Sequence, residues 1–194
     1  MRAQSLAATV LAAAAALALT GCGGDTQPSA DKPPAAPATS SATTGGTAGS
    51  TTESTTSPSA PEALRFTGTT VDGKPFDGTS LAGKPTVLWF WAPWCPKCKA
   101  QSAETAKVAA EYVGKANVVG VAGLDKQAAM KDFVTRNKVD AFPQLSDEMG
   151  DIWKKFEVTQ QSVYVVLDKD GKTTFSGSLP GGEGLADKVA KLVG

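Results

Sequence analysis

Between Gly23 and Glu62 the chain carries no Leu, Ile, Val, Met, Phe, Tyr or Trp, only small, polar and a few charged residues with proline. Such a segment has no apolar surface to offset the cost of ordering its backbone, so residues 22–62 are expected to form a disordered tether. All thirteen aromatic residues fall between Phe66 and Phe175, and the expected core therefore belongs to one domain spanning 63–194. A flexible tether of about forty residues reaches roughly 35 Å. Its Ser/Thr/Pro mixture suits an O-glycosylated stalk as well as a bare spacer.

Residues 1–21 read as an export signal, with Arg2 as a thin basic start and an apolar, Ala-rich stretch from Leu6 to Leu19. The stretch is too short to be read as a spanning helix. It ends in Leu19-Thr20-Gly21-Cys22, which resembles the bacterial lipobox. That resemblance implies lipidation of the Cys22 thiol, cleavage before it, and a protein exported and lipid-anchored to the outer face of the cell membrane. Two or three acyl chains anchor firmly where one is marginal. The alternative is an ordinary secretory signal followed by a chance cysteine.

Composition closes several routes. The sequence has no histidine, which excludes Ser-His-Asp and Cys-His catalysis and His-ligated metal or haem. Lys+Arg and Asp+Glu balance at 19 each and only Arg2, Arg65 and Arg136 are arginines, so no basic footprint for nucleic acid is expected.

Within the domain, Leu64 to Val71 alternates before the turn Asp72-Gly73-Lys74-Pro75 and predicts a leading hairpin. Thr86 to Ala92 is a continuous apolar run, as a central strand covered on both faces requires. A helix is predicted from Lys97 to Val113, with a loose stripe of Ala103, Ala106, Val108, Ala109 and Val113. A buried strand follows at Asn117–Leu124, then helices at Gln127–Asn137 and Gly150–Phe156. A hairpin at Val163–Leu167 and Thr173–Ser176 and a last helix at Gly184–Val193 complete the chain. This order argues for an α/β fold, a mixed sheet between helices.

Cys95-Pro96-Lys97-Cys98 stands where the central strand passes into a helix. A thiol at a helix N-terminus faces unpaired N–H groups and the dipole, which favour its thiolate. Cys98, three residues on, shares that helical face and is placed to close a tight disulfide with Cys95. In such a pair the first cysteine exchanges with a partner and the second resolves the mixed disulfide. Lys97 either adds a cation beside Cys95 or is a solvated surface lysine. A zinc site lacks its further ligands, and haem attachment lacks the histidine that Lys99 replaces. An inert structural disulfide closes too short a loop to stabilise much. No metal or cofactor is expected.

Trp89 to Cys98 on this strand-to-helix junction resembles the thioredoxin superfamily, and with the leading hairpin it resembles the exported Dsb-type and cytochrome-c-maturation (TlpA-like) branch. Gly83 to Pro96, Val119 to Asp125 and Phe156 to Gln161 are similar to the mycobacterial DsbE and DsbF group. The resemblance covers Leu64 to the C-terminus. It implies a thioredoxin-like fold with an N-terminal β-hairpin extension, catalytic Cys95 and Cys98, and extracytoplasmic thiol-disulfide exchange with exported cysteine-containing proteins. A membrane redox partner that recharges the pair would complete the cycle.

Two departures from the family pattern stand out. A cis-proline normally faces the two cysteines, and Ser162 occupies that position; a cis bond before serine costs about 3–4 kcal/mol, so a trans Gln161–Ser162 bond is expected. Gln161 and Ser162 are expected to line the substrate groove with altered geometry, alongside Trp94, Pro96 and Lys97; the alternative is a polar residue merely starting a strand. Secondly, Trp89 stands where thioredoxins bury an aspartate, and Gln101 where the reductive members carry a glutamate. Glu104, one turn on, either substitutes for the missing carboxylate or is a solvated helix charge. With Lys97, the missing carboxylates favour a disulfide donor over a reductase serving cytochrome c maturation. No Thr-x-x-Cys accompanies an arginine as a thiol peroxidase would need. A non-catalytic binding module that presents Trp94 to Lys97 is the alternative from another class.

Overall fold

A computed structural model describes residues 60–194. The readings of the export signal, Cys22 and most of the tether lie outside the described residues.

The fold grows from β3 (Thr86–Trp91), whose six residues are all buried. It pairs in parallel with β4 (Asn117–Ala122) and antiparallel with β6 (Val163–Leu167), which puts this wholly buried run inside the sheet, with a strand on each side. Outward from β4 lie β5 (Gln144–Ser146), β1 (Thr67–Thr70) and β2 (Pro75–Asp77), and outward from β6 lies β7 (Thr173–Gly177). The result is a mixed seven-stranded sheet ordered β2-β1-β5-β4-β3-β6-β7. The helices are α1 (Pro96–Glu111), α2 (Gln127–Asn137), α3 (Asp151–Lys155) and α4 (Leu185–Val193).

Strand alternation sorts the core into two halves. Val87, Trp89 and Trp91 of β3 meet Val118 of β4, Tyr164 and Val166 of β6, and the apolar sides of α1, α2 and α4. Leu88 and Phe90 point the other way, with Val119, Val121, Val163, Val165 and Leu167, and pack against Leu64, Leu81 and the α3 residues Ile152 and Trp153. Both halves are aromatic: Trp91 stacks on Phe133 at 4.3 Å between centroids, and Phe90 meets Trp153 edge-on at 5.7 Å.

The structure departs from the sequence expectation in three places. β5 was not foreseen: Gln144, Leu145 and Ser146 show no alternation long enough to read, and their extended backbone is fixed by partners on both sides, β4 and β1. Leu64 is not in the first strand, which begins at Thr67; it ends a 3-10 turn, Glu62–Leu64, and is buried there. The buried face of α1 is Cys98, Gln101, Ser102, Thr105 and Val108 rather than the alanine stripe, and Val113 is 76% exposed. That helix is oriented by the groups it presents to the sheet, and these are mostly polar.

Candidate active site

The chain leaves β3, turns through Ala92–Trp94 with the Cys95 N–H donating to the Ala92 carbonyl at 3.2 Å, and enters α1. Cys95 is the N-cap in extended conformation and Pro96 takes the first helical position, where its missing N–H costs nothing and its fixed φ fits. The Cys95 sulfur accepts the Cys98 N–H at 3.0 Å, filling the role that Ser or Asp plays at most helix starts. Cys95 and Cys98 form a disulfide with Cα atoms 5.2 Å apart, an ordinary separation for the bond. Cys98 is wholly buried, whereas Cys95, 3% exposed, lines the hollows on either side of it.

Behind Cys98 the two positions that lack carboxylates bond to each other. The Trp89 indole N–H donates to Gln101 Oε1 at 2.9 Å, and Gln101 Nε2 donates to the carbonyls of Leu179 at 2.9 Å and Ser162 at 3.3 Å. One residue on the next turn, Thr105, donates its hydroxyl to the Gln101 carbonyl at 2.8 Å and meets the Tyr164 hydroxyl at 2.7 Å. Burial pushes the Tyr164 phenol far above its usual value, so it is neutral at any physiological pH. The network is uncharged, buried and satisfied, and among the described residues no buried side-chain polar atom lacks a partner. Glu104 does not enter it; its carboxylate lies 3.8 Å from Lys107 on the helix surface.

Ser162 sits beside the pair at φ 69°, in the left-handed region that proline's ring cannot reach. Its N–H donates to the Phe90 carbonyl at 2.8 Å and its hydroxyl meets that of Ser178 at 3.2 Å. The backbone here is therefore built around a residue with an N–H, and a non-glycine residue in this region stores of order 1 kcal/mol of strain. Ser162 joins Gln160, Gln161, Ser178, Pro96 and Lys97 around a groove of about 320 Å³ that opens on Cys95. The structure thus brings Cys95, Pro96, Lys97, Gln161 and Ser162 together. Trp94 stands on the other flank, 54% exposed and tied by its indole N–H to the Leu124 carbonyl at 3.3 Å. Ser178, Leu179 and, on the Trp94 flank, Phe133 and Arg136 were not foreseen. They reach the site from 38 to 84 residues along the chain, and no local pattern marks them.

Among the described residues no group of histidine, cysteine and acidic side chains is placed to hold a metal ion, and none of their helices is long and apolar enough to cross a membrane.

Comparison with known proteins bears on this geometry. The profile of the AhpC/TSA family matches residues 60–176. The soluble secreted antigen MPT53 of Mycobacterium tuberculosis is 44% identical over 117 residues, 60% of this chain and 66% of that protein's length, slightly under two thirds of it. Thiol-disulfide oxidoreductase ResA of Bacillus cereus is 29% identical over 112 residues, 57% of this chain and 64% of ResA. The solved structure of MTB DsbF in mixed oxidised and reduced forms aligns with a TM-score of 0.64 at 43% identity, covering 69% of this chain and 98% of that one. A secreted Mycobacterium tuberculosis disulfide oxidoreductase homologous to E. coli DsbE aligns with a TM-score of 0.61 at 40% identity, covering 68% and 98%. With a strand-to-helix Cys95–Cys98 disulfide at the centre of a mixed sheet flanked by helices, the chain belongs to the AhpC/TSA family and has the thioredoxin-like fold of its solved relatives.

Proposed function

We propose that this protein is an exported, lipid-anchored thiol-disulfide oxidoreductase that donates the Cys95–Cys98 disulfide to cysteine-containing exported proteins. The observation that carries the reading is the pairing of one reachable sulfur, Cys95, at a helix N-terminus with one buried sulfur, Cys98. A partner thiolate attacks Cys95 Sγ; the Cys95–Cys98 bond breaks, and Cys98 leaves with the electron pair and takes up a proton. A second partner thiolate then attacks the partner's own sulfur in the mixed disulfide. The partner's disulfide forms, and Cys95 leaves as a thiolate that the Cys98 N–H is placed to stabilise. The groove along Gln160, Gln161 and Ser162 takes the partner's extended backbone.

The donor direction is supported by what surrounds Cys98. Trp89 and Gln101 offer no carboxylate to draw a proton from a resolving thiol, and the α1 N-terminus favours the reduced, thiolate form of Cys95. Export and anchoring rest on Leu19-Thr20-Gly21-Cys22, and export accords with the name of MPT53, a soluble secreted antigen.

The deciding experiment is a redox titration of the full chain in detergent against glutathione, followed by tryptophan fluorescence. A midpoint near about −120 mV is expected of a donor. A midpoint near about −270 mV overturns the direction and assigns a reductase, and the lack of any reversible transition overturns exchange altogether. Cys98→Ser is expected to accumulate mixed disulfides through Cys95 in cells. Cys22→Ser is expected to abolish labelling with a radioactive fatty acid.

A further inference from the structure

Of the two flanks of Cys95, the Ser162 side is lined by one cation, Lys97, and the other side by two. On the flank away from Ser162 a hollow of about 500 Å³ opens beside the sulfur, walled by Trp94 and Phe133 and edged by Lys99, Arg136 and Asn137. No carboxylate lines it. Its walls are fixed: the Trp94 indole is bonded to Leu124 and the Phe133 ring is stacked on Trp91.

Neither cation is committed elsewhere. Lys99 and Arg136 form no ion pair among the described residues. Arg136 lies in the last turn of α2, where a cation ordinarily serves the helix's free carbonyls. Here three carbonyls of the last turns already have donors: Lys138 N–H donates to Thr135 and Val134, Val139 N–H donates to Val134, and Asn137 Nδ2 donates to Phe133. Lys99, like Lys97, lies in the first turn of α1, the positive end of the helix dipole, and no acidic residue offsets them there. Cations at that end are placed against the local electrostatics, and a locally unfavourable choice without compensation marks a site. Three positive side chains and a helix N-terminus thus converge around one reactive sulfur.

We infer that this hollow selects partner proteins whose exchanging cysteine has an aspartate or glutamate within about three residues, the carboxylate seating between Lys99 and Arg136. The inference rests on the exchange reading above and names its substrate class. The carboxylate takes no part in the electron bookkeeping; it holds the partner while its thiolate displaces Cys98 from Cys95.

The test uses the oxidised full chain and three peptides of one length, each with a single cysteine flanked on both sides by Asp, Asn or Lys. The rate at which the peptide thiolate opens the Cys95–Cys98 disulfide is read by stopped-flow tryptophan fluorescence, with dithiothreitol as an uncharged reductant. The Asp peptide is expected to react about tenfold faster than the Asn peptide at low salt, with the ratio shrinking as salt rises. Arg136→Glu is expected to invert the order, so that the Lys peptide outruns the Asp peptide. Lys172→Gln, on the turn at the far end of β6, is expected to leave the ratio as it was. Equal rates for the three peptides overturn the inference while leaving exchange intact, and so does a ratio that falls as much in Lys172→Gln as in Arg136→Glu. Failure of dithiothreitol to reduce the protein overturns the exchange reading itself.

Discussion

The two faces of the sheet are covered with aromatic side chains alike, yet they handle polar atoms differently. On the face away from the cysteines, Leu88, Phe90, Val119, Val121 and Val165 meet Leu64, Leu81 and Ile152 as hydrocarbon against hydrocarbon. Polar contacts gather around Trp153, whose indole reaches the Val121 carbonyl at 3.2 Å and whose backbone N–H donates to the buried Asp147 carboxylate at 2.9 Å. On the cysteine face both central tryptophans are hydrogen-bonded to buried glutamine side chains, Trp89 to Gln101 and Trp91 to Gln144 at 3.0 Å. Gln144 in turn donates to the Val139 carbonyl at 2.8 Å, and Gly120 makes room for the arrangement, since a Cβ there would lie 2.8 Å from the Trp91 indole nitrogen. One face holds the fold together chiefly by area. The other spends part of its interior on directional bonds that fix what stands behind Cys98.

That contrast breaks most readily on the apolar face. Phe90→Ala is expected to cost about 3–5 kcal/mol of stability, read from urea unfolding, and to leave the midpoint potential of the cysteine pair in the folded fraction where it was. Gln101→Leu is expected to cost less, about 1–3 kcal/mol, because it strands the buried Trp89 indole and Ser162 carbonyl and the half-buried Leu179 carbonyl. It should also displace the potential, which Phe90→Ala does not. Equal shifts in the two variants would erase the distinction between the faces.

Smaller effects sharpen it. Tyr164→Phe removes one buried bond to Thr105, worth about 1 kcal/mol near neutral pH. Because burial raises the folded-state pKa of Tyr164 above its ordinary 10.0, the native protein holds this proton more tightly than the unfolded chain. Its contribution is therefore complete below pH 10 and declines as the pH rises beyond it. Alkaline denaturation should accordingly be shallower in Tyr164→Phe. The smallest effect is expected of Glu148→Gln, at the rim, where the carboxylate accepts the first N–H of α2 from Gln127 at 2.8 Å and pairs with Lys126 at 3.2 Å. These bonds hold Glu148 below its ordinary 4.5. The stability gap between wild type and Glu148→Gln should be full above that pH and close as the solution is acidified through the folded-state value. Urea midpoints at neutral and acid pH measure it.

The helix starts, the central strand and the cysteine pair were legible because each depends on neighbours in sequence. Thr86–Trp91 announces a buried strand by its own composition, and Pro96 after Cys95 announces a helix start. The interior of α1 was not legible in the same way. Its buried face reads Cys98, Gln101, Ser102, Thr105 and Val108, which by polarity belongs outside; only the indole of Trp89 and carbonyls 61 and 78 residues away make it an inside. β5 was hidden for the same reason, since its three residues become a strand through two neighbours and not through their own pattern. Arg136 is likewise an ordinary last-turn cation until the fold sets it across from Lys99.

The reach of Gln101 also sets an order of assembly. Its single amide collects Trp89 from upstream, Ser162 from the start of β6 and Leu179 from the approach to the last helix. A chain that crosses a membrane N-terminus first delivers both cysteines long before it delivers residue 179. Until then the Gln101 amide lacks the Leu179 carbonyl, the shorter of its two acceptor contacts. The last fifteen residues, Pro180–Gly194, contribute no sulfur, yet Leu185 and Val189 of α4 pack into the cysteine-side core and hold in place the strap that carries Leu179. Loss of that helix would leave a chain with Cys95 and Cys98 present but with their side of the core stripped of Leu185 and Val189.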